Sequence, residues 1–281
     1  MIDIAVKGVW KAFEQDKDIL KGVDLEVYEG ERVGLLGKNG AGKSTTIRLI
    51  LNMIRKDGGD ISVLGKEIVK DTDLPKEDIG VVLDEVGIPE CLTVSQIENV
   101  MKNVFRNWDS REFHRITAKF ALPDGKPFKD FSRGMKMKTG IAVALSHHAK
   151  LLILDEATGG LDPVARDEVV EMLNDFTRDE THSILISSHI VSDLEKLCDY
   201  VAFLHKGKLM LCEEKDVLKD RYGSVRMTAE DADRLDRSAV LFRKDTPYGT
   251  ELIVRRDLVP ADAEITPVGI EELFVVMAKE N

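Results

Sequence analysis

The stretch that most constrains this chain is "GKNGAGKST", Gly37 through Thr45. It meets the pattern G-x-x-x-x-G-K-S/T with Gly37, Gly42, Lys43 and Ser44. Glycines at such places let successive backbone N–H groups turn inward onto phosphate oxygens, where a side chain would block the approach. Before it, Arg32 to Leu36 form a short apolar run with the character of a buried strand. After it, "KSTTIRLILNMI" puts Ile47, Ile50, Leu51 and Ile54 on one face, which predicts a helix from Lys43 to Ile54. Strand, glycine loop, helix is the setting a phosphate cradle needs, because the helix start adds unsatisfied N–H groups and a positive dipole end. A glycine-rich turn before a surface helix is the bland alternative, and it leaves the flanking strand and helix unexplained. In a cradle, Lys43 reaches the β- and γ-phosphates of a nucleotide and the Ser44 hydroxyl ligates Mg²⁺.

A second buried-strand run, "LLILDE", ends in two carboxylates, Asp155 and Glu156. At a strand end Asp155 can hold the Mg²⁺ shell. Glu156 points the opposite way along the strand and can hold an attacking water as general base. The run "SILISSH" ends in His189, which alone reads as a satisfied structural histidine as readily as a γ-phosphate contact.

Strands alternating with helices imply an α/β core around a parallel sheet. From about residue 86 to 149 the periodicity is helical, broken by the turn "LPDGKP", and is expected to be an inserted helical subdomain. After Tyr222 the sequence turns polar and irregular, then yields one strand candidate, "TELIVRR", and a closing helix, "GIEELFVVMAKE". The expected division is therefore residues 1–221 as the main domain and 222–281 as a small α+β appendage.

Of the 281 residues, 43% are hydrophobic and 32% charged, the balance of a soluble globular protein. A net charge of −11 argues against a large phosphate-tracking surface, so no nucleic-acid partner is expected. No apolar run approaches the ~20 residues that span a bilayer. "MIDIAVKGVW" lacks the basic start and apolar stretch of a secretory signal. Cys91, Cys198 and Cys212 are scattered without metal spacing. These features set the expectation of a cytoplasmic protein.

Residues 1 to about 220 resemble an ABC transporter ATPase. Beside "GKNGAGKST" and "LLILDE" stands "FSRGM", Phe131 to Met135, where that family carries a signature usually written L-S-G-G-Q. "GGLD", ending at Asp162, resembles the D-loop, and "SSH" resembles the histidine switch that makes His189 a γ-phosphate sensor. Phe13 lies where an aromatic ring usually stacks on adenine. The resemblance implies a P-loop NTPase fold of the ABC ATPase type, with an antiparallel β subdomain added to the core and helical subdomain. It implies ATP and Mg²⁺ as cofactors, with Asn39, Gly40, Ala41 and Thr45 completing the ATP cradle. It further implies a second copy of the chain in an ATP-sandwich dimer, where Ser132 and Gly134 cap the other copy's ATP. Ser132 is equally a good helix N-cap on its residue type alone.

The wording "GLLGKNGAGKST" resembles most the exporter-type branch, whose transmembrane permease is a separate chain. This places the protein at the cytoplasmic face of a membrane, driving export of a drug, an antibiotic or an amphipathic peptide. A soluble ABC ATPase acting on DNA or ribosomes is the alternative, but the long coiled coils or paired cassettes usual there are absent. A GTP switch would need an N-K-x-D motif, and none is present. Three places depart from the family pattern: Arg133 and Met135 in the signature, Ala157 after Glu156, and Asp84 where a Q-loop glutamine usually stands. Asp84 offers a hard oxygen to Mg²⁺ or its water shell, and Glu85 is its competitor for that role.

Overall fold

The computed structural model describes residues 1–13, 18–70, 72–260 and 263–280. The chain forms two compact units, Met1–Leu209 and Met210–Asn281.

In the first unit, β1 (Ile2–Ala12) pairs antiparallel with β2 (Asp18–Tyr28). The strand β3 (Arg32–Leu36) leads through the glycine loop into α1 (Lys43–Ile50). Then β4 (Gly58–Val63) and β5 (Lys66–Glu67) complete a four-stranded antiparallel sheet in the order β2-β1-β4-β5. Next come β6 (Ile79–Val82) and three helices, α2 (Val94–Val104), α3 (Ser110–Lys119) and α4 (Arg133–Leu145). The chain returns as β7 (Leu151–Asp155), α5 (Pro163–Phe176), β8 (Ser183–Ser188), α6 (Val191–Leu197) and β9 (Tyr200–His205). The second sheet runs β9-β3-β8-β7-β6, and β10 (Lys208–Glu214), which leads out of the unit, is its edge beyond β9. From β9 to β6 the pairings are parallel.

The apolar face of α1 ties the two sheets into one core. Ile47, Leu49 and Ile50 pack with Val23, Ile61 and Val63 of the antiparallel sheet and with Leu35, Ile153 and Leu185 of the parallel one. The helix ends at Ile50 rather than at Ile54 as its periodicity predicts. Asn52 adopts a left-handed φ of 54°. Its N–H donates to the Leu49 carbonyl (3.0 Å) and that of Met53 to Arg48 (2.9 Å), a Schellman close that overrides the apolar pattern beyond it.

The stretch expected to be helical contains α2, α3 and α4, each with a side-chain N-cap: Thr93 in a capping box, Asp109 and Ser132. The helix α4 lies tightly on β6. A Cβ at Gly80 would sit 2.5 Å from Leu152 Cδ2 and 2.7 Å from the Ala144 carbonyl oxygen. Only glycine lets strand and helix approach this far.

The second unit contains α7 (Lys215–Arg221), β11 (Tyr222–Met227), α8 (Ala229–Arg234), β12 (Val240–Thr246), β13 (Gly249–Arg255), β14 (Ile265–Pro267) and α9 (Ile270–Glu280). Its antiparallel sheet has the order β12-β13-β11-β14 over a core of Val225, Ala232, Leu252 and Val254. The helix α7, with Leu218 fully buried, packs on β11 and α9 and so belongs with this unit, although the change in composition falls after it. No helix among the described residues is long and apolar enough to cross a membrane.

Gly80→Ala should destabilise the protein by about 1–3 kcal/mol through overpacking between β6 and α4, measured by urea unfolding. An unchanged midpoint would mean that the close approach carries no constraint.

Candidate functional site

Parallel pairing brings three strand ends to one edge. Leu36 lies opposite Ser188, and Asp155 opposite Ser187. The residues that follow, Gly37, Glu156 and His189, therefore emerge side by side, at the carboxyl edge where open α/β sheets bind ligands.

The loop after β3 is a cradle in shape. Gly40 and Gly42 take φ of 78° and 112°. A Cβ at Gly42 would sit 2.6 Å from Leu20 Cδ2, so a side chain there would be both strained and blocked. The Gly37 carbonyl accepts a bond from Lys43 Nζ at 2.8 Å. Ala41 is buried behind the loop and its carbonyl accepts from the Gly207 N–H at 3.0 Å.

Behind the cradle, Asp155 is 2% exposed. Its Oδ1 accepts from Ser187 Oγ at 2.6 Å and from Ser44 Oγ at 3.2 Å. Both donors are neutral hydroxyls, and no ion pair of this carboxylate is found among the described residues. A buried carboxylate facing a hydroxyl without compensating positive charge is costly. Two hard oxygens so placed fit a small divalent cation that takes its remaining ligands from phosphate and water. Ser187 was given no role in the reading of the sequence, although it opens the "SSH" of the switch motif; only the register of β7 and β8 reveals its partner.

Glu156 is held at a left-handed φ of 54°, its N–H donating to the Ser187 carbonyl at 3.1 Å. Such a conformation in a non-glycine residue is a local cost that surrounding contacts must sustain. Those contacts join the site together: Oε1 lies 3.2 Å from Lys43 Nζ, and Oε2 lies 2.6 Å from His189 Nδ1. Lys43 is 6% exposed and the Glu156 side chain 14%, whereas His189 is 54% exposed.

A cleft of about 700 Å³ opens over these groups. Asn39, Gly40, Gly42, Lys43, Ser44 and Thr45 form its floor, and Glu156 and His189 one side. Phe13 stands at its rim, 58% exposed, with Lys11 Nζ 5.4 Å from the ring centroid. Asp84 lines the cleft too, but its carboxylate is engaged by Arg133, not by Ser44 or Asp155. Glu85 lies outside this lining.

Ser132 caps α4, accepting from the Met135 N–H at 3.2 Å, and Asp162 caps α5 through the Val164 and Ala165 N–H groups at 3.1 Å. The Ala165 N–H, with that of Val164, holds the Asp162 carboxyl below the usual carboxylate range. Ser132, Gly134 and Asp162 do not line the cleft with Lys43, and Ser132 and Asp162 face solvent.

The profile of the ABC transporter family matches residues 20–159. The chain is 30% identical to the ABC transporter ATP-binding protein YtrB of Bacillus subtilis (strain 168), over 97% of each chain. It is 35% identical to the lantibiotic transport ATP-binding protein SrtF of Streptococcus pyogenes, over 81% of this chain and 93% of that one. Among solved structures, an ATP-binding subunit of an ABC transporter superposes with a TM-score of 0.68 at 28% identity, covering 77% of this chain and 91% of the other.

The Lys43–Glu156 pair makes a measurable demand on the nucleotide-free protein. Lys43→Met, which leaves the enclosed Glu156 carboxylate with His189 alone, should cost about 1–3 kcal/mol in urea unfolding. In a Glu156→Gln background the same change should cost clearly less. Equal costs in both backgrounds would show that the two groups are not coupled.

Proposed function

The chain belongs to the ABC transporter family, and from that membership we propose how its residues divide the work of a transport ATPase. It is an ATP-binding and ATP-hydrolysing subunit of a membrane transporter, and ATP-binding subunits of this family pair with membrane permeases. Our reading is of an exporter with its permease on a separate chain, working from the cytoplasmic face of the membrane. Its cargo class is a drug, an antibiotic or an amphipathic peptide. Relatives named for lantibiotic and bacitracin transport support that class.

The observation that carries the mechanism is the convergence of Lys43, Ser44, Asp155, Glu156 and His189 at one strand edge. Lys43 meets the β- and γ-phosphates, while Gly40 and Gly42 let the loop backbone close round them. Phe13 at the rim is suited to cover the adenine ring. Ser44 and Asp155 are the residues that would hold Mg²⁺, which when bound neutralises charge between the β- and γ-phosphates. Lys43 is engaged by Glu156 at 3.2 Å. An arriving phosphate chain competes for the ammonium group, and the Glu156 carboxylate is then free to accept a proton from water. His189 orients that carboxylate through its 2.6 Å contact and lies within the cleft to meet the γ-phosphate.

Glu156→Gln should bind ATP at least as tightly as wild type, since the amide competes less for Lys43, and lose steady-state hydrolysis, because the amide positions water but accepts no proton. Turnover near the wild-type rate would remove Glu156 from the role of base.

Two surfaces support the partner assignments. Ser132, Gly134 and Asp162 lie outside the chain's own cleft, as groups serving a second copy's ATP would. A separate apolar cleft of about 540 Å³, lined by Leu51, Met53, Val81, Val104 and Phe105 among others, leaves Val104 55% exposed. An exposed apolar cleft marks a docking site, and we assign it to an apolar segment of the permease. Val104→Glu should abolish co-purification of a detergent-extracted membrane protein while the isolated chain keeps its ATPase rate. Retained co-purification would place the permease elsewhere.

A further inference from the structure

Two unusual residues of the cleft are bound to each other. Asp84 follows the end of β6, and Arg133 opens α4 immediately after the capping Ser132. The Arg133 guanidinium donates to the Asp84 carboxylate, joining the strand side of the cleft to the helix side. Both residues line the nucleotide cleft, and both also line a neighbouring cleft of about 590 Å³ with Glu85, Glu90 and Lys136. Their ion pair is thus the partition between the two.

We propose that Asp84 and Arg133 form an ionic clasp across the nucleotide cleft, and that the phosphate chain of ATP opens it by taking Arg133 from the carboxylate. The proposal rests on the reading of this cleft as the ATP site.

Three observations carry it. The Arg133 and Asp84 side chains are 60% and 49% exposed, and ion pairs this wet contribute little to stability, so the contact exchanges readily. The competing ligand is multiply anionic, and arginine binds phosphate in the same forked geometry with which it grips a carboxylate. The guanidinium stem also packs on backbone that carries no side chains. It lies over Gly159 and Gly160, where a Cβ on Gly160 would be only 3.2 Å from Arg133 Cδ. A side chain at that position would crowd the arginine where it lies. Lys43 and Glu156 line the same cleft, and among the described residues Glu156 pairs with Lys43 and His189 while Arg133 pairs with Asp84.

The test is a cycle of equilibrium titrations of the full chain with a fluorescent, non-hydrolysable ATP analogue and Mg²⁺. The variants are Asp84→Asn, Arg133→Gln and both together. Simple repulsion between Asp84 and phosphate would be relieved by Asp84→Asn to the same extent in either background. The clasp adds a competition that exists only when Arg133 is present. Asp84→Asn should therefore tighten binding by about threefold more in the chain that keeps Arg133 than in the Arg133→Gln background, the scale of one exposed ion pair. The same factor in both backgrounds overturns the clasp. A Mg²⁺-ligating Asp84 predicts the opposite sign, weaker binding in Asp84→Asn, and that result overturns it too. Both positions are wet, and unchanged thermal unfolding of the variants confirms that affinity alone is being read. Lys43→Ala separates the two levels of the argument. If it loses nucleotide binding while the Asp84 factors are equal, the clasp alone falls; if it binds as wild type, the site reading falls and the clasp with it.

Discussion

Everything at the site depends on the parallel pairing of β7, β8 and β3. Leu36 opposite Ser188 and Asp155 opposite Ser187 fix three loops at one sheet edge. A slip of one residue would turn Asp155 away from Ser44 and Ser187, because side chains alternate between faces along a strand. Burial enforces the register: every residue of β7 and of β8 is buried, so neither strand has a solvent-facing set to exchange. The geometry for holding phosphate, metal and water is in this sense a consequence of sheet packing.

The same dependence explains what was legible in the sequence. The cradle could be read because its chemistry is local: glycine φ angles, the helix start and Lys43 lie within nine consecutive letters. Asp155 and Glu156 could be read because they end an unmistakable apolar run. Ser187 could not, since its partner is set by pairing between strands far apart in sequence. The Asp84–Arg133 contact escaped for the same reason, although both residues stood out as departures from the family pattern. β6 and β9 were not read as strands, because runs of four and six residues give too short a signal to separate strand from helix. In the second unit, "TELIVRR" was visible as β13, but β11 and β12 are interrupted by Gly, Arg, Lys and Asp, and their strand character comes from pairing with it.

Glu156 is the most constrained of the residues at this edge. Its left-handed backbone is a cost, and its carboxylate is engaged on one side by Lys43 and on the other by His189. Phosphate competes for Lys43 with higher charge than Glu156 can offer, so nucleotide arrival and release of the base are one event. On the proposed reading of Glu156 as base, its contacts with Lys43 and His189 hold the carboxylate until phosphate displaces the lysine.

Two structural elements run from the apolar cleft to the nucleotide cleft. Ile79 and Val81 of β6 line the first, and Asp84, just past the same strand, lines the second. Val143 and Ala144 near the end of α4 line the first, and Arg133 at its start lines the second. Gly80 lets the strand approach the Ala144 carbonyl closely, so a shift of one element is felt by the other. Proximity alone does not make coupling; a two-state element biased from both ends does. The Asp84–Arg133 clasp is such an element, since it closes the strand to the helix at the nucleotide end and opens when phosphate takes the arginine. Opening it relaxes one end of a rigid pair whose other end forms the wall of the apolar cleft. By reciprocity, a segment seated in that cleft that favours one spacing of β6 and α4 must alter the affinity for ATP by the same free energy with which ATP alters its own.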